Sequence, residues 1–260
     1  MNRFVDCLCE NLKSLNAKER DHLVRYAYQG RPGEEGEESN RPWLSKDMIE
    51  DLKKSVPELG QAARCVFAGM DFHLDWLHGA LFLACKSIKL EKNGDPPQAP
   101  CLPVLIGSYE EDKSLRSVTG GQEDVDLVAV FVDGERTIVL FMEAKGVGSI
   151  DTLQLARKLI RLARIIEESG AKQRSDVVFV PFLIAPHGPN KRLPKTLWGY
   201  GRRAKGVGSN ALGAEGLQGF GHESPIRFLA LSGLPNKKVT REKEDKSAAG
   251  EYTHWTIKNR

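Results

Sequence analysis

GQEDVDLVAVFVDGERTIVLFMEAKG, residues 121–146, decides the fold of this chain. Val125–Val132 and Thr137–Ala144 are rich in β-branched and aromatic residues, and they meet at Asp133-Gly134. Asp-Gly between two apolar runs is a strong short-range hairpin signal. With Asp133 and Gly134 as the two loop residues, Val132 pairs with Glu135, Asp126 faces Phe141, and Asp124 faces Glu143. Side chains alternate along a strand, so Asp124 and Asp126 share one face, Glu143 and Lys145 share one face, and this register makes the two faces the same. Asp126 is then the diagonal neighbour of Glu143, at up to about 7–8 Å between Cβ atoms. A slip of one residue would send the two acids to opposite faces, so the loop carries the argument.

Both strands are apolar on both faces, which predicts a sheet covered on each side. Downstream, Ile150–Glu168 reads as a helix, with Asp151 as N-cap, Gln154 at N3 and Ile150 facing Leu155. Val177–Ala185 is a further strand, and Pro181 within it argues for an edge position or a bulge. Ile226–Leu231 and Tyr252–Ile257 are short strand candidates, whereas Lys237–Lys246 reads as a charged, solvated stretch. Upstream, Ala68–Ile88 predicts a helix apolar around most of its circumference, a helix buried on more than one side. Phe4, Leu8, Leu12 and Leu15 stand at helical spacing; Asn16 with Glu19 opens a second helix to about Tyr28, and Ser45–Ser55 is a third. Gly30–Pro42 lacks any apolar residue and reads as a loop, and Asn93–Pro103 as a proline-rich connector. The expected fold is α/β: a mixed central sheet flanked by helices, with a helical N-terminal region. The boundaries are 1–60 for that region, 61–186 for the core, and 187–260 for a basic, glycine-rich loop and terminal strands completing the same domain.

The 260 residues are 40% hydrophobic and 28% charged, an ordinary globular composition. The 38 basic and 35 acidic residues leave a formal charge of +3, too mild to indicate a nucleic-acid partner by itself. No apolar run approaches the roughly 18–20 residues that span a bilayer, and Asp6 and Glu10 interrupt any secretory core. No membrane partner and a cytoplasmic setting are therefore expected. Cys7, Cys9, Cys65, Cys85 and Cys101 are odd in number and form no C-x-x-C, which argues against both a disulfide framework and structural zinc.

Asp126, Glu143 and Lys145 are three charges at the end of an apolar hairpin, costly to bury unless compensated. Paired carboxylates suit a hard cation such as Mg²⁺. A lysine beside that cation would be repelled by it, which favours the neutral amine and suits a base or water-orienting group. At these residues the chain resembles the PD-(D/E)xK nuclease superfamily, which includes restriction endonucleases, Holliday-junction resolvases and RecB-like nucleases. Val125-Asp126 stands at the first signature position and Glu143-Ala144-Lys145 at the second. The helix–hairpin–helix–strand order fits as well, over roughly residues 68–185.

The resemblance implies a restriction-endonuclease-like core and a Mg²⁺-dependent phosphodiesterase, with Mn²⁺ able to substitute. Asp126 and Glu143 would bind the metal, the Ala144 carbonyl would add a ligand, and Lys145 would act on the attacking water. The superfamily often adds an acid from the preceding helix; Asp75 is preferred for that role over Asp71. Val125 replaces the signature proline, and Lys158 stands four residues after Gln154, so the Q-x-x-x-Y of RecB-like members is absent.

Arg157, Lys158, Arg161 and Arg164 read as a basic stripe opposite Leu155, Leu159, Leu162 and Ile166. Such a stripe is usually a solvated face, but beside a nuclease site Arg157, Lys158 and Arg161 could meet phosphates. Lys191, Arg192, Lys195, Arg202, Arg203 and Lys205 lie among Trp198 and Tyr200 with no acidic residue between them, a mixture suited to backbone neutralisation and base stacking. The expected function is a metal-dependent endonuclease in restriction, defence or repair, on DNA rather than RNA. A homodimer would suit duplex cleavage. The alternatives are a catalytically silent nucleic-acid-binding or scaffold module on the same fold, and a small-molecule enzyme with a deep apolar pocket.

Overall fold

The computed structural model describes residues 3–15, 44–89, 118–121, 123–144, 152–185, 227–230, 237–242 and 254–259. In chain order the elements are helix α1 (Arg3–Leu15), helix α2 (Lys46–Ser55), strand β1 (Arg64–His73), helix α3 (Leu74–Cys85), strands β2 (Asp124–Asp133) and β3 (Arg136–Ala144), helix α4 (Thr152–Glu168), a short 3-10 turn (Ala171–Gln173), and strands β4 (Val177–Ala185), β5 (Arg227–Ala230), β6 (Lys237–Glu242) and β7 (His254–Asn259).

The first five strands form one mixed sheet in the order β1-β2-β3-β4-β5. β1, β2 and β3 run antiparallel; β4 is parallel to β3, and β5 is parallel to β4. A parallel step needs a long crossover, and α4 supplies it between β3 and β4. β6 and β7 pair antiparallel in a separate two-stranded sheet. Within the stretch Lys237–Lys246, expected to be charged and solvated, Lys237–Glu242 forms a strand. Its charged residues alternate with few apolar ones, and the partner that makes it a strand is distant in sequence.

One layer over the sheet is built from α1, α3 and α4. Phe4, Leu8, Leu12, Leu77, Leu81, Leu159 and Ile166 pack there against Val128, Val130, Val139 and Phe141. The opposite layer holds Leu52 of α2 against Ala129, Phe131, Ile138, Leu140 and Met142. α1 is thus part of the main core rather than a separate region. Asn11 on its buried face donates to the Ile88 carbonyl at 2.9 Å, tying it to the segment after α3. α2 begins where expected, because the Ser45 hydroxyl accepts from the Met48 amide and caps its first turn.

The expected helix over Ala68–Ile88 is two elements: β1 runs to His73 and α3 begins at Leu74. Within β1, Asp71 has a left-handed φ of 49°, and the strand ends two residues later. The His73 side chain then caps α3 by accepting from the Asp75 amide. Asp71 and Asp75 consequently do not share a helix face. The β1–β2 ladder skips the level of Asp71 and Asp126. Beyond that level the layers exchange: Phe72 and Val125 join the α1 layer, while Ala68 and Leu127 belong to the α2 layer. Strict alternation would have kept each pair together.

Pro181 also has a local explanation. Pairing with β5 starts at Phe182, so the half of β4 up to Pro181 has only β3 as a partner among the described residues. A residue without an N–H loses no bond on that flank. The expected helix at 16–28, the loop at 30–42 and the connector at 93–103 lie outside the described residues.

Candidate functional site

The hairpin that carries the acids forms with a register two residues away from the expected one. Asp133 pairs with Arg136 and Val132 with Thr137, which makes Gly134 and Glu135 the loop. Gly134 has φ 62°, the left-handed conformation that a primed turn demands of its first loop residue. A two-residue shift leaves the faces unchanged and moves the acids closer. The last paired residues are Leu127 and Met142, so the next step along both strands reaches Asp126 and Glu143. Asp126 Oδ2 accepts from the Ala144 amide at 2.7 Å, which fixes its carboxylate directly beside the strand segment bearing Glu143.

Glu143 is buried, and its Oε2 lies 2.6 Å from Nζ of Lys158 on α4. Both side chains are nearly enclosed, at 12% and 8% exposure. They share the wall of a cavity of about 20 Å³ with Val125, Phe141, Leu159 and Phe182. That is room for a single water, not for a small-molecule substrate.

One turn further along α4, Arg161 is buried at 1% exposure. It donates to Asp75 Oδ1 and, at 3.0 Å, to Glu123 Oε2. Asp75 also accepts from the amides of Thr119 and Gly120, at 3.1 and 2.8 Å. The network joins α4, the start of α3 and the entry to β2, an entry that the Leu74 amide also grips through the Glu123 carbonyl. Asp75 therefore has three described donors. Among the described residues no group of three or more His, Cys, Asp or Glu side chains is arranged to hold a metal ion.

Lys158 and Arg161 correct the exposed-stripe expectation. At 3.6 residues per turn Lys158 falls between Leu155 and Leu162, on the apolar side, and Arg161 falls at its border beside Ile165. The spacing held that signal, but reading the basic residues as one stripe obscured it. Arg164, on the far side, is half-buried at 26% exposure. The side chain of Arg157 is not among those described. Lys145, the caps at Ile150 and Asp151, and Lys191, Arg192, Lys195, Arg202, Arg203 and Lys205 lie outside the described residues.

Other reactive groups are held inert by their surroundings. Burial pushes the thiols of Cys9 and Cys65 up to about 12, and the Cys85 thiol is raised for the same reason. A thiol so held is not a nucleophile near neutral pH. His78 on α3 stacks on Phe82, and its Nδ1 finds no hydrogen-bond partner among the described residues. Burial lowers its pKa, outweighing the opposite pull of Glu168 and Asp75.

Comparison with protein-family models, with curated proteins and with solved structures finds no match to this chain. Among the described residues no helix is long and apolar enough to cross a membrane.

Proposed function

We propose that the chain is a metal-dependent nuclease that hydrolyses phosphodiester bonds, acting on DNA. The observation that carries this reading is the meeting of Asp126 and Glu143 at the adjoining ends of β2 and β3, with Asp126 bonded to the amide that follows Glu143. The β1-β2-β3 meander followed by α4 and a parallel β4 supports it, because that order agrees with a restriction-endonuclease-like core.

The donor chemistry fits a hard divalent cation: two carboxylates from neighbouring strands, to which the family resemblance would add the Ala144 carbonyl. Such an ion, when bound, polarises a phosphoryl oxygen and acidifies a water. Asp126 and Glu143 would hold it, the Ala144 amide keeps the Asp126 carboxylate in place, and Lys145, next along the chain, would orient the attacking water or take its proton. The basic segment from Lys191 to Lys205 would neutralise the nucleic-acid backbone.

A catalytically silent nucleic-acid-binding module on the same fold is the second reading. It is favoured by the internal partners that each acid already has: Lys158 on Glu143, Arg161 on Asp75, and the Ala144 amide on Asp126. Incubation of the full chain with circular plasmid DNA and Mg²⁺ separates the two. The nuclease reading predicts nicking or linearisation, abolished in Lys145→Ala while DNA binding persists. Binding without cleavage by the unaltered chain would favour the silent module.

A further inference from the structure

Lys158 stands on the apolar stripe of α4, where a leucine would pack without any desolvation cost. Its ammonium is compensated by Glu143 at 2.6 Å, inside the wall of a cavity too small to admit more than one water. The same carboxylate is a proposed metal ligand, and the inference rests on that reading. A divalent ion seated on Glu143 would lie within a few ångströms of a monovalent one, and like charges in a poorly hydrated site repel strongly. Both cannot hold the carboxylate together.

We infer that Lys158 is a positioning residue, a built-in counter-ion that holds Glu143 in place before the metal arrives and is displaced when it binds. Its stem suits that role, since lysine has four flexible methylene groups and can carry its ammonium outward along an apolar surface. Arg161, one turn away, is unsuited to such exchange, because two acids grip its planar guanidinium.

Mn²⁺ titration of the full chain, followed by the electron paramagnetic resonance signal of the free ion at about pH 8, where carboxylates are ionised, tests this directly. Lys158→Met removes the repelled charge, and Mn²⁺ binding tightens by roughly tenfold or more. The Mn²⁺-induced rise in melting temperature also grows, which loss of a purely structural contact would not produce. An affinity unchanged within about twofold, or weakened, overturns the inference. If the unaltered chain binds Mn²⁺ and Glu143→Gln abolishes that binding while Lys158→Met leaves it unchanged, the inference fails and the metal reading stands. If no variant binds Mn²⁺, both fall. Should Lys158→Met not fold, acetic anhydride labelling of the unaltered chain with readout by mass spectrometry takes its place. Lys158 is protected without metal and is acetylated when Mg²⁺ is added; protection that persists in Mg²⁺ overturns the displacement.

Discussion

Arg161 is the residue on which the packing of α4 against the start of α3 and β2 turns. Replacing it with methionine fills the space but leaves Asp75 and Glu123 without their counter-charge. Breaking a buried pair costs about 3–5 kcal/mol, and the partial exposure of Glu123 puts this case at about 3 kcal/mol. Urea unfolding measures it. Lys54→Ala is the control: its ion pair with Asp51 spans 3.1 Å between two exposed side chains and changes stability by less than about 0.5 kcal/mol. Equal effects of the two substitutions would show that the network is not what holds this corner. His78 makes a prediction in pH. Its folded pKa lies below that of the unfolded chain, so below about pH 6.5 the unfolded state takes up a proton that the native state refuses. Stability is retained above that pH and falls as pH drops through and below it. Melting temperatures measured on both sides of this range should show the fall, and His78→Leu should flatten it. A pH profile unaltered by the substitution would exclude His78 as a cause.

At the scale of elements, the hairpin loop sets the geometry on which the site depends. Gly134 has φ 62° and open space around it, so an added Cβ meets nothing and the cost of Gly134→Ala is that of the left-handed backbone alone. That cost is about 1–2 kcal/mol, and Gly134→Asn recovers part of it because asparagine tolerates the conformation. Equal denaturation midpoints for the two variants would contradict the loop as described. The apolar runs of β2, β3 and β4 were legible in the sequence almost to the residue, because a strand covered on both faces leaves a continuous hydrophobic record. The register was not, since Asp133-Gly134 and Gly134-Glu135 both place a glycine where φ turns positive, and only the ladder chooses between them. β1 was missed for a related reason: AGMDFHLDWL is apolar enough for either element. What marks the change from strand to helix is the His73 cap, which periodicity does not reveal. The inward turn of Lys158 was available in the spacing. Its partner, Glu143, was available only from the fold.

At the scale of the whole molecule, the helical N-terminal segment and the sheet share one core. Phe4 packs in the same layer as Val139, and the Arg174 guanidinium lies 4.4 Å from the Phe4 ring centre. The acids of interest stand at one end of this sheet, at the adjoining ends of the antiparallel strands β2 and β3, with Glu143 enclosed beside Lys158. That arrangement makes sense of charges that would otherwise burden an apolar hairpin. The most direct test is anomalous diffraction from crystals of the full chain soaked in Mn²⁺. The account predicts a peak about 2–2.5 Å from carboxylate oxygens of both Asp126 and Glu143, with the Lys158 ammonium withdrawn. A well-ordered site showing no peak between those two side chains, and Lys158 still seated on Glu143, would contradict it.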